Sequence, residues 1–538
     1  MKVKKWLLVF VIAALCFMAA CSNEGNAKED EKEESNTTAN INETGMPIVN
    51  EPITLQFMAR KSLAEDNGDV LIWKEYSKMT GINVEWEIVP RSGIDEKRNL
   101  ALASGDIPDV FYQAHMPNTD LLKYGKQGVF LPLNDLIDEH MPNLSNLLNE
   151  YPEIKKGITF PDGNIYSLPM IYDPEFTSVI VGHKLWVRQD WLEKLNMEQP
   201  QTTEEFYQYL KAVKETDLNG NGKQDEVPYG ATQVSGLMAW LKGAYGVGNR
   251  GGNHPFIDMD PDTNELRFYP TTDEYLEMLK YMHRLFDEGL IQENIFTIEG
   301  NQVQATGAEG LYGSTVTTSP ETLWGEAGKN YVGMTPLEGP AGLRSYHNMR
   351  SPLGQMGNFV ITNKNQHPEA TVRWMDHFYG DEGTKMFFMG IEGETYTENE
   401  DGSVEYVDKI KNPEEGITFE QALGDYVTWL GGGYPGVVKE KYFQGAETLP
   451  SSLEATKKIE PYMIDEVWPL FTYTREENQK IASFGADIEK YVNEMRDKFI
   501  TGAASFSEWE EYVQNIEQMN LKEYMEIQQA AYERYSAN

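Results

Sequence analysis

From residue 53 onward the chain alternates between two hydrophobic periods. Residues 53–57 switch between apolar and polar at every step, the pattern of a half-buried strand. Residues 70–79 carry apolar positions at helical spacing and stop at Thr80-Gly81, where glycine closes a helix in the left-handed region. Over 83–89, Val84, Trp86 and Ile88 share one face, and Glu85 and Glu87 the other. A helix over 94–103, a stop at Gly105 and a short strand at Val110-Phe111 follow. This βαβαβ order predicts an open, largely parallel sheet flanked by helices.

Further along, Asp190-Trp191-Leu192 starts a short helix, and Thr202-x-x-Glu205 reads as a capping box ahead of Phe206, Leu210 and Val213. The last third is helical. Ile481, Phe484, Ile488, Val492, Met495 and Phe499 form one stripe. After Gly502, Ser507-x-x-Glu510 opens a helix carrying Trp509, Val513 and Ile516. These stripes read as core packing. A chain of 538 residues exceeds one ordinary core, so at least two lobes are expected.

The N-terminus differs in kind. Lys2, Lys4 and Lys5 precede an apolar run over 6–20, shorter than the roughly 20 residues a membrane span needs. The run suits a secretory signal. It ends in Met18-Ala19-Ala20-Cys21, which resembles a bacterial lipobox, with Met18 where that pattern prefers Leu. The chain has two cysteines, and Cys16 would leave with the signal. Cys21 is then a lone thiol at the first mature position, which makes sense as a lipidated anchor to the outer face of the membrane. Residues 1–20 read as a lipoprotein signal peptide, and 21–50, polar and acidic, as a disordered tether.

A formal charge of −39 argues against nucleic acid, which needs a basic face, and reads as a solvated acidic surface. The strongest local motif is the decapeptide at 217–226. Asp217, Asn219, Asn221 and Asp225 place oxygens at alternating positions, Gly222 permits the turn, and Lys223 can offer its carbonyl. An EF-hand wants Glu at position 12, but Pro228 stands there, so Glu226 would close the shell of a structural calcium site. Gly246-x-Gly248-x-x-Gly251 follows a helical stretch rather than a strand, and reads as a glycine-rich loop rather than a dinucleotide fingerprint.

No HExxH, GxSxG, CxxC or Walker motif occurs, and the eight histidines lack close ligand spacing. The chain reads as no enzyme. A hydrolase built on a binding-protein fold is the alternative, because a carboxylate pair is set by geometry and not by spacing. Aromatics make up 12% of the chain, which suits a ligand with flat apolar faces. Trp240, Trp324 and Trp429 are candidate platforms for sugar rings, with Arg350 as a donor to hydroxyls.

Residues 101–110, Ala-Leu-Ala-Ser-Gly-Asp-Ile-Pro-Asp-Val, resemble the ASGDxPDV signature of family 1 extracellular solute-binding proteins, which serve ABC sugar importers. Residues 162–169 resemble that family's DGxxYxLP segment. Residues 186–228, 486–502 and Leu521-x-x-Tyr524 resemble the large lipoprotein branch that includes alginate-oligosaccharide binders. The resemblance implies an α/β type 2 periplasmic-binding-protein fold with an oligosaccharide in the interlobe cleft. It also implies an ABC permease as partner, and a monomer. It places 51–172 and 314–358 in lobe one, and 173–313 and 359–538 in lobe two. The calcium ligands would be Asp217, Asn219, Asn221, Lys223, Asp225 and Glu226. Tyr112 and Gln113 occupy the place where maltose-binding relatives put an aromatic and a polar ligand contact. Delivery to a sensor kinase is the alternative to a permease.

Overall fold

In the computed structural model, which describes residues 40–537 apart from 63, 65, 415, 416 and 431, the first alternating segment is a long strand. The signal peptide and Cys21 lie outside the described residues. In chain order the strands are β1 (Ile53–Arg60), β2 (Ile82–Val89), β3 (Val110–Tyr112), β4 (Leu168–Tyr172), β5 (Lys184–Arg188), β6 (Val227–Tyr229) and β7 (Ile257–Met259). They continue as β8 (Leu266–Phe268), β9 (Tyr312–Thr317), β10 (Tyr331–Gly333), β11 (Leu353–Ile361), β12 (Tyr396–Glu398), β13 (Val404–Tyr406) and β14 (Gly436–Val438).

Two sheets organise the molecule, one of order β14-β4-β11-β3-β1-β2 and one of order β10-β5-β9-β6. In the first, β1 pairs in parallel with β2 and β3. Only β11 runs against its neighbours β3 and β4. The ends of β1, β2, β3, β4 and β14 and the start of β11 therefore share one edge. In the second sheet β6 is parallel to β9, and β5 opposes both β9 and β10. The start of β5 and the ends of β6, β9 and β10 share its corresponding edge. Three segments, 173–183, 334–352 and 439–449, run between those edges.

The topology divides the chain differently from the sequence-based boundaries. Residues 314–333 belong to the second sheet with β9 and β10, whereas 359–361 and β14 belong to the first. A boundary at residue 358 would cut β11, a continuous strand of nine residues. The helix Pro368–Asp376 stays with lobe one because Trp374 stacks on Trp73 at 5.4 Å and meets Phe57 edge-on at 5.4 Å. Large rings, packed closely and mostly at steep angles, hold that core together.

Local signals hold where the chemistry is short-range. The helix Leu71–Thr80 ends at Gly81 with φ +76°, and Thr202 and Glu205 form the expected capping box. The C-terminal box forms two residues early, between Ser505 and Glu508, because a single 3₁₀ turn precedes the helix Trp509–Gln518. In the long C-terminal stripe, Ile488, Val492, Met495 and Phe499 are buried in the helix Ala486–Thr501. A π-helical turn, Ile481–Gly485, precedes it and rotates Ile481 and Phe484 off the line.

The tether is shorter than the composition suggests. Within 40–50, Ile48 and Val49 are buried in lobe one, and Ile48 N–H donates to Thr80 O at 2.9 Å. The side chain and backbone of Asn40 bond to Glu51 and Asn50. Two adjacent β-branched residues bury enough apolar surface to offset the ordering cost that the polar neighbours cannot.

The C-terminal region clasps both lobes. Trp468 N–H donates to Arg250 O at 3.0 Å on one side, and Thr472 Oγ1 donates to Thr159 O at 3.0 Å on the other. The helix Arg475–Lys480 packs on the lobe-one helix Asn118–Lys126, and the helix Ala486–Thr501 on the lobe-two helix Asp273–Asp287.

Candidate ligand cleft between the two sheets

In open α/β sheets the exposed carbonyl ends of parallel strands and the loops after them form the natural ligand crevice. Here two such edges face each other. On lobe one, β3 runs into Gln113 and His115, both at positive φ (52° and 48°), a region non-glycine residues rarely occupy. The twist is fixed from outside. Gln113 N–H donates to Asn358 O at 2.7 Å and Met116 N–H to Gly357 O at 2.9 Å. Arg98 Nη1 donates to Ala114 O, His115 O and Asp95 Oδ1.

Gly433 packs directly on the His115 ring, since a β-carbon there would lie 2.4 Å from Cε1. Arg60 reaches the same place and donates through Nη2 to Gly432 O at 2.6 Å. Burial, and then the charge of Arg60, pushes the His115 imidazole down to about 4, so it is neutral at pH 7. His115 Nε2 and Asn358 Oδ1 are buried and meet no protein partner. Such atoms are rare, and call for a ligand or water.

At the crossing, Arg350 lies against Gly182 and its guanidinium sits 6.0 Å from the centre of the Tyr172 ring. His183, next in line, is lowered by burial and then by Arg350. Tyr346 Oη donates to Val181 O and His183 O, which ties the 334–352 strap to the 173–183 strap.

Beyond it, along the lobe-two edge, lies a cavity of about 780 Å³. Its walls come from the loop after β6 (Thr232, Gln233), the helix Ser235–Tyr245 (Lys242), Asn348, and the helix Ala486–Thr501. Tyr269 and Tyr275 add aromatic surface. That volume falls in the range of small-ligand sites, roughly 300–1,000 Å³.

The six residues expected to touch ligand are divided by the structure. Gln113 and Arg350 stand at the facing edges. Tyr112 is 1% exposed, its ring inside the Phe57, Trp73, Trp86 and Trp374 cluster. Trp240 packs on Tyr346, Trp324 on Tyr312 and Tyr331, and Trp429 on Phe388 and Phe443, with 2%, 5% and 7% exposure. As sugar platforms these three are corrected to core residues. Their apolar area is satisfied by neighbouring rings, and Trp429 Nε1 already donates to Phe388 O at 3.0 Å. His115, Tyr172, His183, Lys242 and Asn493 were missed. The signal that would have found the first three is positional, because each lies at or just past a strand end on the edge that faces the other lobe.

The 217–226 loop is gathered as its pattern predicts. Asp217 Oδ1 accepts from Gly220 N–H at 2.7 Å, and Oδ2 from Gly222 N–H at 2.8 Å. The amides of Asn219 and Asn221 both point at Asp225, whose carboxyl is held below its usual range by those bonds. Glu226 Oε1 accepts from Leu218 and Asn219 N–H, while its Oε2 is buried without a partner. Among the described residues no cluster of three or more His, Cys, Asp or Glu is poised for a metal. The loop set is instead mixed, with three carboxylates, two amides and the Lys223 carbonyl. Hard, oxygen-only donors and one orphaned buried carboxylate oxygen fit a calcium ion.

Two α/β lobes tied by three straps, with a cavity of mixed polar and aromatic lining beside the crossing, are the architecture of a two-lobed ligand-binding protein. The chain belongs to the bacterial extracellular solute-binding protein family, whose model matches residues 63–385, more than half its length. It is 29% identical over 98% of both chains to the fructooligosaccharide ABC transporter substrate-binding protein FusA of Streptococcus pneumoniae. The FusA structure in complex with kestose superposes with a TM-score of 0.71, covering 90% of this chain and 100% of that one. A solute-binding protein of Bifidobacterium longum subsp. infantis shares the fold with a TM-score of 0.76 at 21% identity, covering 91% and 100%. The fold is that of the periplasmic binding proteins, and the chain is a transporter substrate-binding protein, not an enzyme.

Proposed function

We propose that this protein captures an oligosaccharide in the cleft between the two sheets and presents it to an ABC permease at the outer face of the membrane. The observation that carries this reading is a cavity of about 780 Å³ at the crossing end of the lobe-two sheet, lined by hydroxyl, amide and aromatic groups. The end-to-end similarity to FusA supports the oligosaccharide, as does FusA's kestose complex. Gln113, His115 and Arg350 stand at the strand ends and crossing outside that cavity, and the loop after β6 forms one of its walls.

Calcium belongs to the same proposal. Asp217, Asn219, Asn221, the Lys223 carbonyl, Asp225 and Glu226 would hold it, and the ion would pin the loop ahead of β6. A FusA structure described as an EF-hand mutant supports a cation loop in this branch. Anchoring through lipid on Cys21 completes the picture. Among the described residues no helix is long and apolar enough to cross a membrane.

Titration calorimetry with neutral and acidic oligosaccharides tests the proposal, with chromatography of the ligand afterwards. Saturable binding of an oligosaccharide that is recovered intact is the expected result. Product release, or no binding across the panel, overturns it. Chelation should lower the melting temperature, and added calcium should restore it.

A further inference from the structure

The family match ends at residue 385, yet one wall of the cavity comes from far beyond it. The helix Ala486–Thr501 has two faces. Ile488, Val492, Met495 and Phe499 bury one of them in lobe two. Glu489, Asn493 and Arg496, spaced i, i+4 and i+7, line the cavity. The polar stripe is thus a second, separate face of an already anchored helix.

Two cations and one carboxylate face the cavity, and they are incompletely paired. From the helix Ser235–Tyr245 comes Lys242, whose ammonium has no carboxylate within salt-bridge distance among the described residues. It rests over the Tyr269 ring at 5.3 Å, and burial lowers it to about 8, opposed by the nearby charge of Asp258. Arg496 donates through Nε to Asp497 at 2.7 Å and through Nη1 to Asn493 Oδ1 at 2.8 Å, which leaves Nη2 for a ligand. Because Asn493 Oδ1 accepts from Arg496, its amide N–H groups remain to donate. Glu489 has no hydrogen-bond partner on the protein among the described residues, and burial alone raises its carboxyl. His183 on the lining is lowered by burial and then by Arg350, and burial raises the phenols of Tyr269 and Tyr275.

We infer that Glu489, Asn493, Arg496 and Lys242 form a specificity-determining subsite for a neutral sugar unit, recognised through adjacent hydroxyls. This rests on the oligosaccharide reading above. A carboxylate accepts hydrogen bonds from a pair of vicinal hydroxyls, while Lys242, Asn493 and Arg496 donate to hydroxyl and ring oxygens. Tyr269 and Tyr275 offer flat surface for the C–H face. A uronate in this subsite would set its own carboxylate against Glu489, and an amino sugar would meet Lys242 and Arg496. Each charged class meets a like charge in the subsite, an amino sugar two and a uronate one, whereas a neutral unit meets none.

The test is calorimetric titration of the full mature chain with fructo-, galacto- and xylo-oligosaccharides and with oligogalacturonides. Wild type should bind a neutral member, and Glu489→Gln and Lys242→Met should each weaken it at least tenfold. Glu494→Gln, on the solvent side of the same helix, should leave it unchanged. Circular dichroism melts confirm that each variant is folded, and Glu489→Gln keeps shape while removing the charge and turning one acceptor oxygen into a donor. Oligogalacturonides binding the wild type and tightening with Glu489→Gln would overturn the subsite assignment while sparing the oligosaccharide reading. So would neutral affinities that stay within twofold in both variants. Binding of neither sugar class by the wild type overturns both.

Discussion

Asp258 to Asn tests the electrostatics of the lobe-two floor. Asp258, on β7, is fully buried, and its carboxylate takes Arg267 Nε at 2.7 Å and Nη2 at 3.0 Å. Its Oδ2 also accepts from Gly248 N–H at 2.7 Å, which ties down the glycine-rich loop that follows the Lys242 helix. Asparagine keeps the size and loses the charge. Arg267 then stays buried, with Glu274 at 3.9 Å as its remaining carboxylate partner. Breaking a buried pair by neutralising one member costs about 3–5 kcal/mol, and Glu274 recovers part of that, so a loss of about 3 kcal/mol is expected. With a urea m-value of about 3 kcal/mol/M the unfolding midpoint falls by about 1 M.

Arg267→Met in the Asp258→Asn background removes the stranded charge. The double variant should therefore lose clearly less than the sum of the singles. A single-variant loss below about 1 kcal/mol, or an additive cycle, would show that the pair is not the anchor described. Asp258 also raises Lys242, so in Asp258→Asn the Lys242 ammonium should titrate lower still, which NMR of labelled lysine would follow.

Three further outcomes follow from single sites. His254 donates from Nε2 to Pro469 O at 2.8 Å and packs on Phe471. Burial depresses it to about 4 from an ordinary 6.5, so it is neutral in the fold. The unfolded chain binds that proton first, so stability is complete above pH 6.5 and falls as pH drops toward 4. His254→Gln should flatten that limb of a denaturation-versus-pH curve. Gly357, with φ +75°, would place a β-carbon 2.1 Å from Met116 O, so Gly357→Ala should cost about 2 kcal/mol or more and weaken ligand binding in the same titrations. Ile48→Asp buries a charge at a fully covered site and should cost about 3 kcal/mol or more in thermal unfolding, whereas a truly loose tether would tolerate it.

Much of lobe one was legible because its signals are local. Val84, Trp86 and Ile88 mark β2, Gly81 and Gly105 stop helices, and the Thr202 box starts one. The 217–226 loop was legible for the same reason, since its hydrogen bonds run among ten consecutive residues. The lobe boundaries were not, because whether β9 or β11 joins a given sheet depends on pairing partners more than eighty residues away. The tryptophans misled for a related reason. Trp240, Trp324 and Trp429 sit beside loops in the sequence, but a large ring finds its apolar neighbours in three dimensions, and each of these found a core. Glu489 was hidden by the opposite error. Its helix announces a buried stripe clearly, and nothing in the spacing marks the polar residues between as facing a cavity.

The straps between the sheets all leave from one edge, and the C-terminal clasp binds both bodies. Such a suspension leaves essentially one soft coordinate, a rotation about the line of the straps. Binding should therefore register as a single displacement everywhere at once. One donor–acceptor pair, placed on any two points across the mouth, would be enough to read the whole state of the molecule.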